Sequence, residues 1–271
     1  MWPVPDPLID LWNPGEFVRF GRSLGTSTFV AEVVMEEGAA YLKALNNPEG
    51  PHALAREFVG TCLARALDLP TLNYGLAQID ATVDEIPLGN GTLAASGKAW
   101  VTQSEPGHVW GGTTAELEQL DNPQDIPRLV LFDTWVRNRD RHAPSELNRK
   151  PNYGNVFFSS RGCEQGHYRL LAMDHTHVFS AESALTRRVA QIGEVRDTKI
   201  YGRFSQFVPY LDAGALERAA MDLQRFDTNL IARVIDAVPA DWDMDAEVRD
   251  ALRDFLVRRA PFVAENWKSL L

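Results

Sequence analysis

Two carboxylates and an amide follow one another in the middle of the chain, in surroundings that suit phosphate chemistry. Asp140 lies in the basic segment Asn-Arg-Asp-Arg-His, Asn155 precedes the apolar run Val-Phe-Phe, and Asp174 follows Leu-Leu-Ala-Met. In phosphoryl transfer from ATP, one Asp orients the attacking hydroxyl, while an Asn and a second Asp hold the Mg²⁺ that bridges the phosphates. Because this chemistry depends on positioning and charge neutralisation, few side chains suffice if rigid elements hold them.

Each of these residues also has an ordinary structural explanation. An Asp between two arginines is usually a solvated ion pair, and a single Asp at the end of a strand is common. The ordered combination is what predicts a magnesium-dependent site. Asn148 and Asn152 compete with Asn155 for the metal-binding role, and Asn155 is preferred because the strand predicted directly behind it would fix its position.

The first fifty residues predict three short strands, at 16–21, 28–34 and 39–44, with a small loop between the first two. Backbone N–H groups in such a loop can close over phosphates. A plain hairpin turn explains the same pattern, since the GK[ST] ending of a Walker A loop is missing. The candidate nucleotide-binding residues of this glycine loop are Gly21, Ser23, Gly25, Thr26 and Ser27.

One lysine, Lys43, stands inside the apolar stretch Tyr-Leu-Lys-Ala-Leu, where a buried ammonium group needs a partner. In the kinase template, the lysine of the third strand contacts the α- and β-phosphates and a Glu on the next helix. That helix is predicted at 52–67, with an apolar face and with Glu57 on the flank of it. A snorkelling lysine and a solvated glutamate are the ordinary alternative; the downstream Asp–Asn–Asp set favours a Lys43–Glu57 pair.

The order Asn-Arg-Asp-Arg-His at 138–142, a later Asn, and an apolar strand ending in Asp-His resembles the HipA-like kinase family. That family is related to the phosphatidylinositol 3-/4-kinase-like enzymes and to protein kinases. The resemblance implies that Asp140 is the catalytic base, that Asn155 and Asp174 bind Mg²⁺, and that His142 supports the catalytic loop by hydrogen bonding. The sequence departs from the kinase template in one respect, because the residue five positions after the Asp is Ser145 rather than Asn. Residues 143–154 are therefore interpreted as an inserted loop.

The resemblance also implies that backbone groups at a hinge between two lobes read the adenine of ATP. The hinge is expected where a predicted strand ends, just before Glu105-Pro106-Gly107 breaks it. The residues assigned to this role are Val101, Thr102, Gln103 and Ser104.

The expected fold is α+β and two-lobed, like that of a protein kinase. Residues 1–104 would form an N-lobe, a small antiparallel β-sheet with one helix, and residues 105–271 a mainly helical C-lobe. Pro261 is expected to kink or split the last helix. The helices of the C-lobe are predicted at 113–119, 123–137, 213–224, 228–237 and 246–270.

Composition limits the binding partners and the cellular compartment that are expected for this protein. A net charge of −10, from 27 basic and 37 acidic residues, argues against binding nucleic acid or an anionic membrane by itself. No apolar run is long enough for a membrane span, and no signal peptide is expected. Cys62 and Cys163 show no metal-ligand spacing and fit a reducing compartment, so a cytoplasmic protein is expected. His175 and His177, two positions apart, make a poor zinc site.

The sequence thus favours a serine/threonine protein kinase that transfers the γ-phosphate of ATP, with Mg²⁺, to a hydroxyl of a protein acceptor. A kinase of small molecules or lipid headgroups is one alternative. A nucleotide-binding pseudokinase that serves as an interaction module is a second, and an adaptor without nucleotide is a third. The pattern indicates no particular acceptor and no oligomeric state.

Overall fold

An antiparallel sheet of five strands forms the first half of the fold. The computed structural model describes residues 6–9, 11–89, 91–180 and 184–270. The strands are β1 (Phe17–Ser23), β2 (Ala31–Met35), β3 (Gly38–Lys43), β4 (Tyr74–Ile79) and β5 (Gly97–Gln103). Across the sheet they run in the order β1-β2-β3-β5-β4, and every neighbouring pair is antiparallel. The three strands predicted in the first fifty residues are present.

The two faces of this sheet belong to different cores, because successive side chains of a strand point to opposite faces. Trp100 of β5 faces the larger core, where its ring stacks on Tyr74 at 5.0 Å between centroids. The next residue, Val101, belongs to a smaller core on the other face. The connection between β4 and β5 covers that smaller core with Ile86 and Leu88.

Helix α1 (Pro51–Ala66) packs against the inner face of the sheet and is buried on nearly every side. Its proline lies in the first turn, where a missing N–H breaks no helical hydrogen bond. The predicted apolar face is therefore only part of the buried surface. The polar residues Arg56, Glu57 and Thr61 are buried as well, because residues 174–178 pack on that side of the helix.

A second, three-stranded antiparallel sheet follows, and it sets the positions of two predicted site residues. Its strands are β6 (Gly107–Val109), β7 (Val156–Ser159) and β8 (Arg169–Ala172), in the order β6-β7-β8. Asn155 immediately precedes β7, and Asp174 comes two residues after β8. Since β7 pairs directly with β8, the two residues lie at the same end of the sheet.

The second half of the fold is mainly helical. The buried helix α3 (Asp125–Val136) delivers the chain to the segment around Asp140, and it packs against α5 (Ala213–Gln224) and α7 (Ala246–Glu265). The sequence predicts that Pro261 kinks or splits the last helix. Pro261 lies inside α7, which continues past it, so the split is wrong and the kink stays a prediction. Ala260, Val263 and Ala264 around the proline are buried in the core. The helices are α2 (Thr114–Leu117), α3 (Asp125–Val136), α4 (Ile192–Val195), α5 (Ala213–Gln224), α6 (Thr228–Asp236) and α7 (Ala246–Glu265).

A sheet-rich half followed by a helical half is the expected α+β, kinase-like class, and the fold prediction is confirmed. The predicted boundary after Ser104 falls in the short connection between β5 and β6, while α1 and α3 share the larger core. The division into lobes at that boundary stays a prediction, and its outer ends, 1–5 and 271, lie outside the described residues. Within the described residues, no helix has the length and apolar character that crossing a membrane requires.

The close packing of α1 on the segment after β8 yields a test of the fold. A Cβ at Gly60 would lie 2.5 Å from the Cβ of His175, so Gly60→Ala should lower the free energy of unfolding by about 1–3 kcal/mol through overpacking. Gly193 of α4 is exposed and a Cβ there meets nothing within 4 Å, so Gly193→Ala should be neutral or slightly stabilising. Urea denaturation of both variants measures the difference, and equal stabilities would contradict this account of the packing.

Candidate active site

Lys43, the last residue of β3, carries an ammonium group that is buried and held by three partners. Its Nζ donates to Glu57 Oε2 at 2.6 Å, to Thr176 Oγ1 at 2.9 Å and to Asp174 Oδ1 at 3.0 Å. Burial alone would lower the pKa of Lys43, but the two carboxylates outweigh burial and raise that pKa above its ordinary value. The structure thus brings together Lys43, Glu57 and Asp174, three of the predicted site residues.

The two residues after Asp174 hold the Glu57 carboxylate in place. The backbone N–H of His175 lies 3.2 Å from both oxygens of Glu57. The hydroxyl of Thr176 lies 2.9 Å from Glu57 Oε2 and 2.6 Å from Asp174 Oδ1. Because a hydroxyl has one proton to donate while it accepts another hydrogen bond, Thr176 can accept from Lys43 and donate to either Glu57 or Asp174. Sequence reasoning missed Thr176, whose one signal was its position two residues after the second Asp.

Asp174 has an uncommon backbone conformation. Its φ of 55° lies in the left-handed region, which residues other than glycine rarely adopt. This turn leads the chain from β8 into the segment that packs on α1, and the carboxylate meets Lys43. Burial would raise the pKa of Asp174, but the charge of Lys43 and the hydrogen bond from Thr176 lower it below its ordinary value. Asp174 is therefore ionised at neutral pH.

The ring of His175 is a buried structural element. Its Nδ1 lies 2.9 Å from Thr61 Oγ1, and the ring meets Phe132 edge-on at 5.5 Å between centroids. Burial lowers the pKa of His175 well below its ordinary value, and the nearby charge of Arg141 acts in the same direction. The ring is therefore neutral, and it fills the space between α1 and α3.

Asp140 presents its carboxylate at the edge of the site, with 28% of the side chain exposed. Its Oδ2 accepts hydrogen bonds from Asn155 Nδ2 at 2.7 Å and from Asn152 Nδ2 at 3.0 Å. Its backbone N–H donates to Asn138 Oδ1 at 3.1 Å. Asn138 in turn donates to Asp133 Oδ1 at 3.2 Å. The orientation of Asp140 is thus fixed from two sides by amide groups.

Arg141, next to Asp140, is completely buried and connects three segments of the site. Its Nη1 forms an ion pair with Asp133 of α3. Its Nε donates to the carbonyl of Asn155 at 3.1 Å, and its Nη2 donates to the carbonyl of Met173 at 2.8 Å. One guanidinium therefore fixes the backbone at or beside Asp140, Asn155 and Asp174.

The three asparagines that competed for the metal role lie in different places. Asn155 is buried, and its Oδ1 accepts a hydrogen bond from Asn152 at 3.0 Å. Asn152 also contacts Asp140 directly. Asn148 is exposed in a left-handed conformation, and no contact between its side chain and Asp140 occurs in the described part of the chain. The structure therefore brings Asn152 and Asn155, but not Asn148, to the carboxylate.

His142 connects the catalytic loop to a segment later in the chain. Its ring packs edge-on against Phe204 at 5.1 Å between centroids, and its carbonyl accepts a hydrogen bond from the N–H of Gly202 at 2.8 Å. Burial lowers the pKa of His142 below its ordinary value. His142 thus joins the loop to the segment before α5, and the expected hydrogen-bonding role of its side chain stays a prediction.

A cavity of about 240 Å³ opens beside Lys43 and Asp174, between the five-stranded sheet and the three-stranded sheet. Apolar side chains line most of it, among them Val30, Leu72, Phe157 and Met173. Apolar walls with a few charged groups suit a ligand that has an aromatic base and a charged tail. Asp140 and Asn155 lie outside the cavity lining.

Only some of the predicted nucleotide-binding residues line this cavity. In the glycine loop, Thr26 lines the cavity, as does Leu24, which was not predicted. In the predicted hinge, Thr102 and Gln103 line the cavity, and so does the neighbouring Glu105. The structure places six of the predicted residues outside the lining: Gly21, Ser23, Gly25, Ser27, Val101 and Ser104.

Local structure accounts for these displacements. Gly21 lies within β1, where the register shifts between Phe20 and Arg22, and a Cβ there would lie 2.9 Å from the carbonyl oxygen of Glu32. Val101 points into the small core on the far face of the sheet. Ser104 donates its backbone N–H to Ala39. These three residues therefore serve the sheet in this structure.

Comparison with known proteins agrees with this geometry. The sequence profile of the HipA-like kinase family matches residues 32–260, and the chain belongs to that family, whose members are phosphotransferases. Among solved structures, the fold resembles that of a Helicobacter pylori proinflammatory kinase, CtkA, with a TM-score of 0.56 at 16% sequence identity. The match covers 93% of this chain and 96% of that one. None of the curated proteins matches the chain.

The buried Arg141–Asp133 pair gives a prediction on stability. Asp133→Ala leaves a buried guanidinium without its counter-charge, so the free energy of unfolding should fall by about 3–5 kcal/mol. Asp254→Ala removes a partner of Arg258 from an exposed pair with an N···O distance of 2.6 Å, and it should cost less than about 1 kcal/mol. Chemical denaturation of both variants compares the two pairs. Similar losses in the two variants would show that Arg141 does not depend on Asp133.

Proposed function

We propose that this protein is an ATP- and Mg²⁺-dependent kinase that transfers the γ-phosphate to a serine or threonine hydroxyl of a protein. The observation that carries the proposal is the meeting of Lys43, Glu57 and Asp174 at the charged end of an apolar cavity. A buried lysine between two carboxylates, one from each half of the fold, is the arrangement that kinases use to position phosphates.

Magnesium fits the residues present. Asp174 offers an ionised carboxylate and Asn155 an amide oxygen, which are the hard ligands that Mg²⁺ prefers. In kinase sites the ion uses one or two carboxylates together with substrate phosphates. No group of three or more His, Cys, Asp or Glu side chains forms a metal cluster among the described residues, so Asp174 and Asn155 would share the ion with the nucleotide. When bound, Mg²⁺ supplies charge neutralisation for the phosphate oxygens.

The other residues of the site take roles that follow from their contacts. Lys43 contacts the α- and β-phosphates, and Glu57 keeps the ammonium group in position. Asp140 orients the acceptor hydroxyl and takes its proton as the oxygen–phosphorus bond forms, while the bond between the γ-phosphorus and the bridging oxygen breaks and ADP leaves. Asn152 and Asn155 donate hydrogen bonds to one oxygen of Asp140. Positioning of this kind supplies a large part of the catalysis in such reactions.

A protein acceptor is supported by the location of Asp140. The carboxylate is partly exposed and lies outside the enclosed cavity, so a hydroxyl can reach it from solvent on a large molecule. The apolar cavity is left to the nucleotide. Incubation with labelled ATP and Mg²⁺ should therefore label a peptide or protein mixture more strongly than small alcohols or lipid headgroups. Preferential labelling of the small acceptors would favour a small-molecule kinase instead.

Nucleotide binding is the first point to test. Mg-ATP at about a hundred times its dissociation constant should stabilise the fold by roughly 2.7 kcal/mol, because only the folded state binds it. Thermal unfolding with millimolar Mg-ATP should show a clear rise in the melting temperature. The same scan with ATP and EDTA should show a smaller rise. An unchanged melting temperature in both scans would contradict nucleotide binding.

Variants of the two carboxylates separate their roles. Asp174→Ala should abolish phosphoryl transfer and weaken the Mg²⁺-dependent part of the thermal shift, since it removes a proposed metal ligand. Asp140→Ala should abolish transfer yet keep most of the shift, because this carboxylate faces the acceptor. If a folded Asp140→Ala variant no longer responded to Mg-ATP, the two assignments would have to be exchanged.

A further inference from the structure

Glu49, a carboxylate outside the set that sequence reasoning selected, lies where three segments of the site meet. It belongs to the turn between β3 and α1, and its backbone N–H donates to Asn47 Oδ1 at 3.0 Å. The side chain is only 17% exposed. Burial would raise the pKa of Glu49, but hydrogen bonds with His177 and Ser27 outweigh burial and lower it. The group is therefore a held and ionised carboxylate.

The imidazole of His177 lies between the carboxylates of Glu49 and Asp140. Its Nε2 lies 3.1 Å from Glu49 Oε2, and its Nδ1 lies 3.7 Å from Asp140 Oδ2. The ring is 18% exposed, so its position is largely determined by what surrounds it. Asp140 Oδ2 is the same oxygen that receives the two asparagine amides. His177 thus lies on the side of Asp140 that faces the N-terminal half of the fold.

One further contact extends from Glu49. Arg56 of α1 lies with Nη2 3.9 Å from Glu49 Oε2, and its Nε donates to the carbonyl of Thr176. The carboxylate therefore lies against helix α1 and the segment after Asp174.

We propose that Glu49 is a positioning residue for phosphoryl transfer, which orients Asp140 through His177. The proposal rests on the proposed function, in which Asp140 takes the proton of the acceptor hydroxyl. Because Glu49 lies in the turn before α1, the N-terminal half of the fold would then help to set the orientation of the catalytic carboxylate. Misplacement of a catalytic group by about 1 Å can cost on the order of 100-fold in rate.

A series at Glu49 tests whether contact or charge matters. Glu49→Gln keeps an oxygen at the same reach for His177 Nε2, whereas Glu49→Asp keeps the charge but is one methylene shorter. If contact matters, kcat should be highest for the wild type, lower for Glu49→Gln, and lowest for Glu49→Asp and Glu49→Ala, which should be similar. Glu49→Ala should lower kcat by about 10- to 100-fold. A purely electrostatic role predicts that Asp is more active than Gln, and that order would overturn the proposal. Glu217→Ala, at an exposed glutamate of α5, is the matched control and should keep wild-type kcat.

A double-mutant cycle tests whether Glu49 acts on Asp140 through His177. If Glu49 acts through His177, then Glu49→Ala and His177→Ala should each lower kcat, and the double variant should be no slower than the slower single variant. Both single variants should leave KM for ATP within about twofold, because neither side chain lines the cavity proposed for the nucleotide. Independent, multiplying losses in kcat would overturn the proposal. A merely structural role would lower the melting temperature and the active fraction, while kcat per active enzyme would stay at the wild-type value.

The outcomes distinguish this proposal from the one on which it rests. Wild-type protein that neither binds Mg-ATP nor transfers phosphate would overturn the proposed function, and the positioning role with it. Active wild type with a Glu49→Ala variant whose kcat is within about twofold would overturn the positioning role alone. Active wild type, the order Gln above Asp, and a non-additive cycle support both.

Discussion

The buried charge of Arg141 is the constraint on which the arrangement of the site depends. A guanidinium without solvent must satisfy its donors inside the protein, and here it does so with Asp133 and with two carbonyls from different strand ends. Burial raises the pKa of Asp133 even beside Arg141, which indicates how costly it is to bury these groups. The backbone around Asp140, Asn155 and Met173 can hardly move without breaking a hydrogen bond to this one side chain.

Lys43 joins the N-terminal sheet to that frame. Its ammonium group has three donors, and all three point at protein groups: Glu57, Asp174 and Thr176. If Lys43 binds phosphate as proposed, at least one of these contacts has to be exchanged for a phosphate oxygen. Asp174 is the partner best placed to leave, because its side chain is 28% exposed whereas that of Glu57 is 4% exposed. On the proposed function, the nucleotide and its metal would therefore compete with the Lys43–Asp174 contact.

Local patterns in the sequence were enough to predict the fold class, most strands and helices, and the order of the charged residues. Contacts between distant buried polar groups were not predictable in this way. Thr176 and His175 look like ordinary residues after an Asp, and Arg141 looks like a solvated arginine, because what defines them is burial among segments far apart in sequence. The same limit explains why Val101 was predicted as a nucleotide-binding residue although it lies in the smaller core. A strand pattern in the sequence does not show which face of the sheet lines a ligand cavity. Helix α1 looks amphipathic in the sequence because it has polar residues on one side. In the structure that polar side is buried as well, against residues 174–178.

The spacing between Asp140 and Asn155 is the point at which the sequence departed from the kinase template, and the structure explains it. The backbone N–H of Asn152 donates to the carbonyl of Arg141 at 2.9 Å, so residues 142–151 form a loop that is closed at its base. Without those ten residues, Asn155 would follow Asp140 by five positions, as the Asn follows the Asp in the template. The insertion thus leaves the local geometry around Asp140 intact and adds a second amide, that of Asn152, to the same carboxylate oxygen. Asn148 lies within this loop, whereas Asn155 follows the hydrogen bond that closes it and lies beside Asp140. This supports Asn155 over Asn148 as the proposed metal ligand.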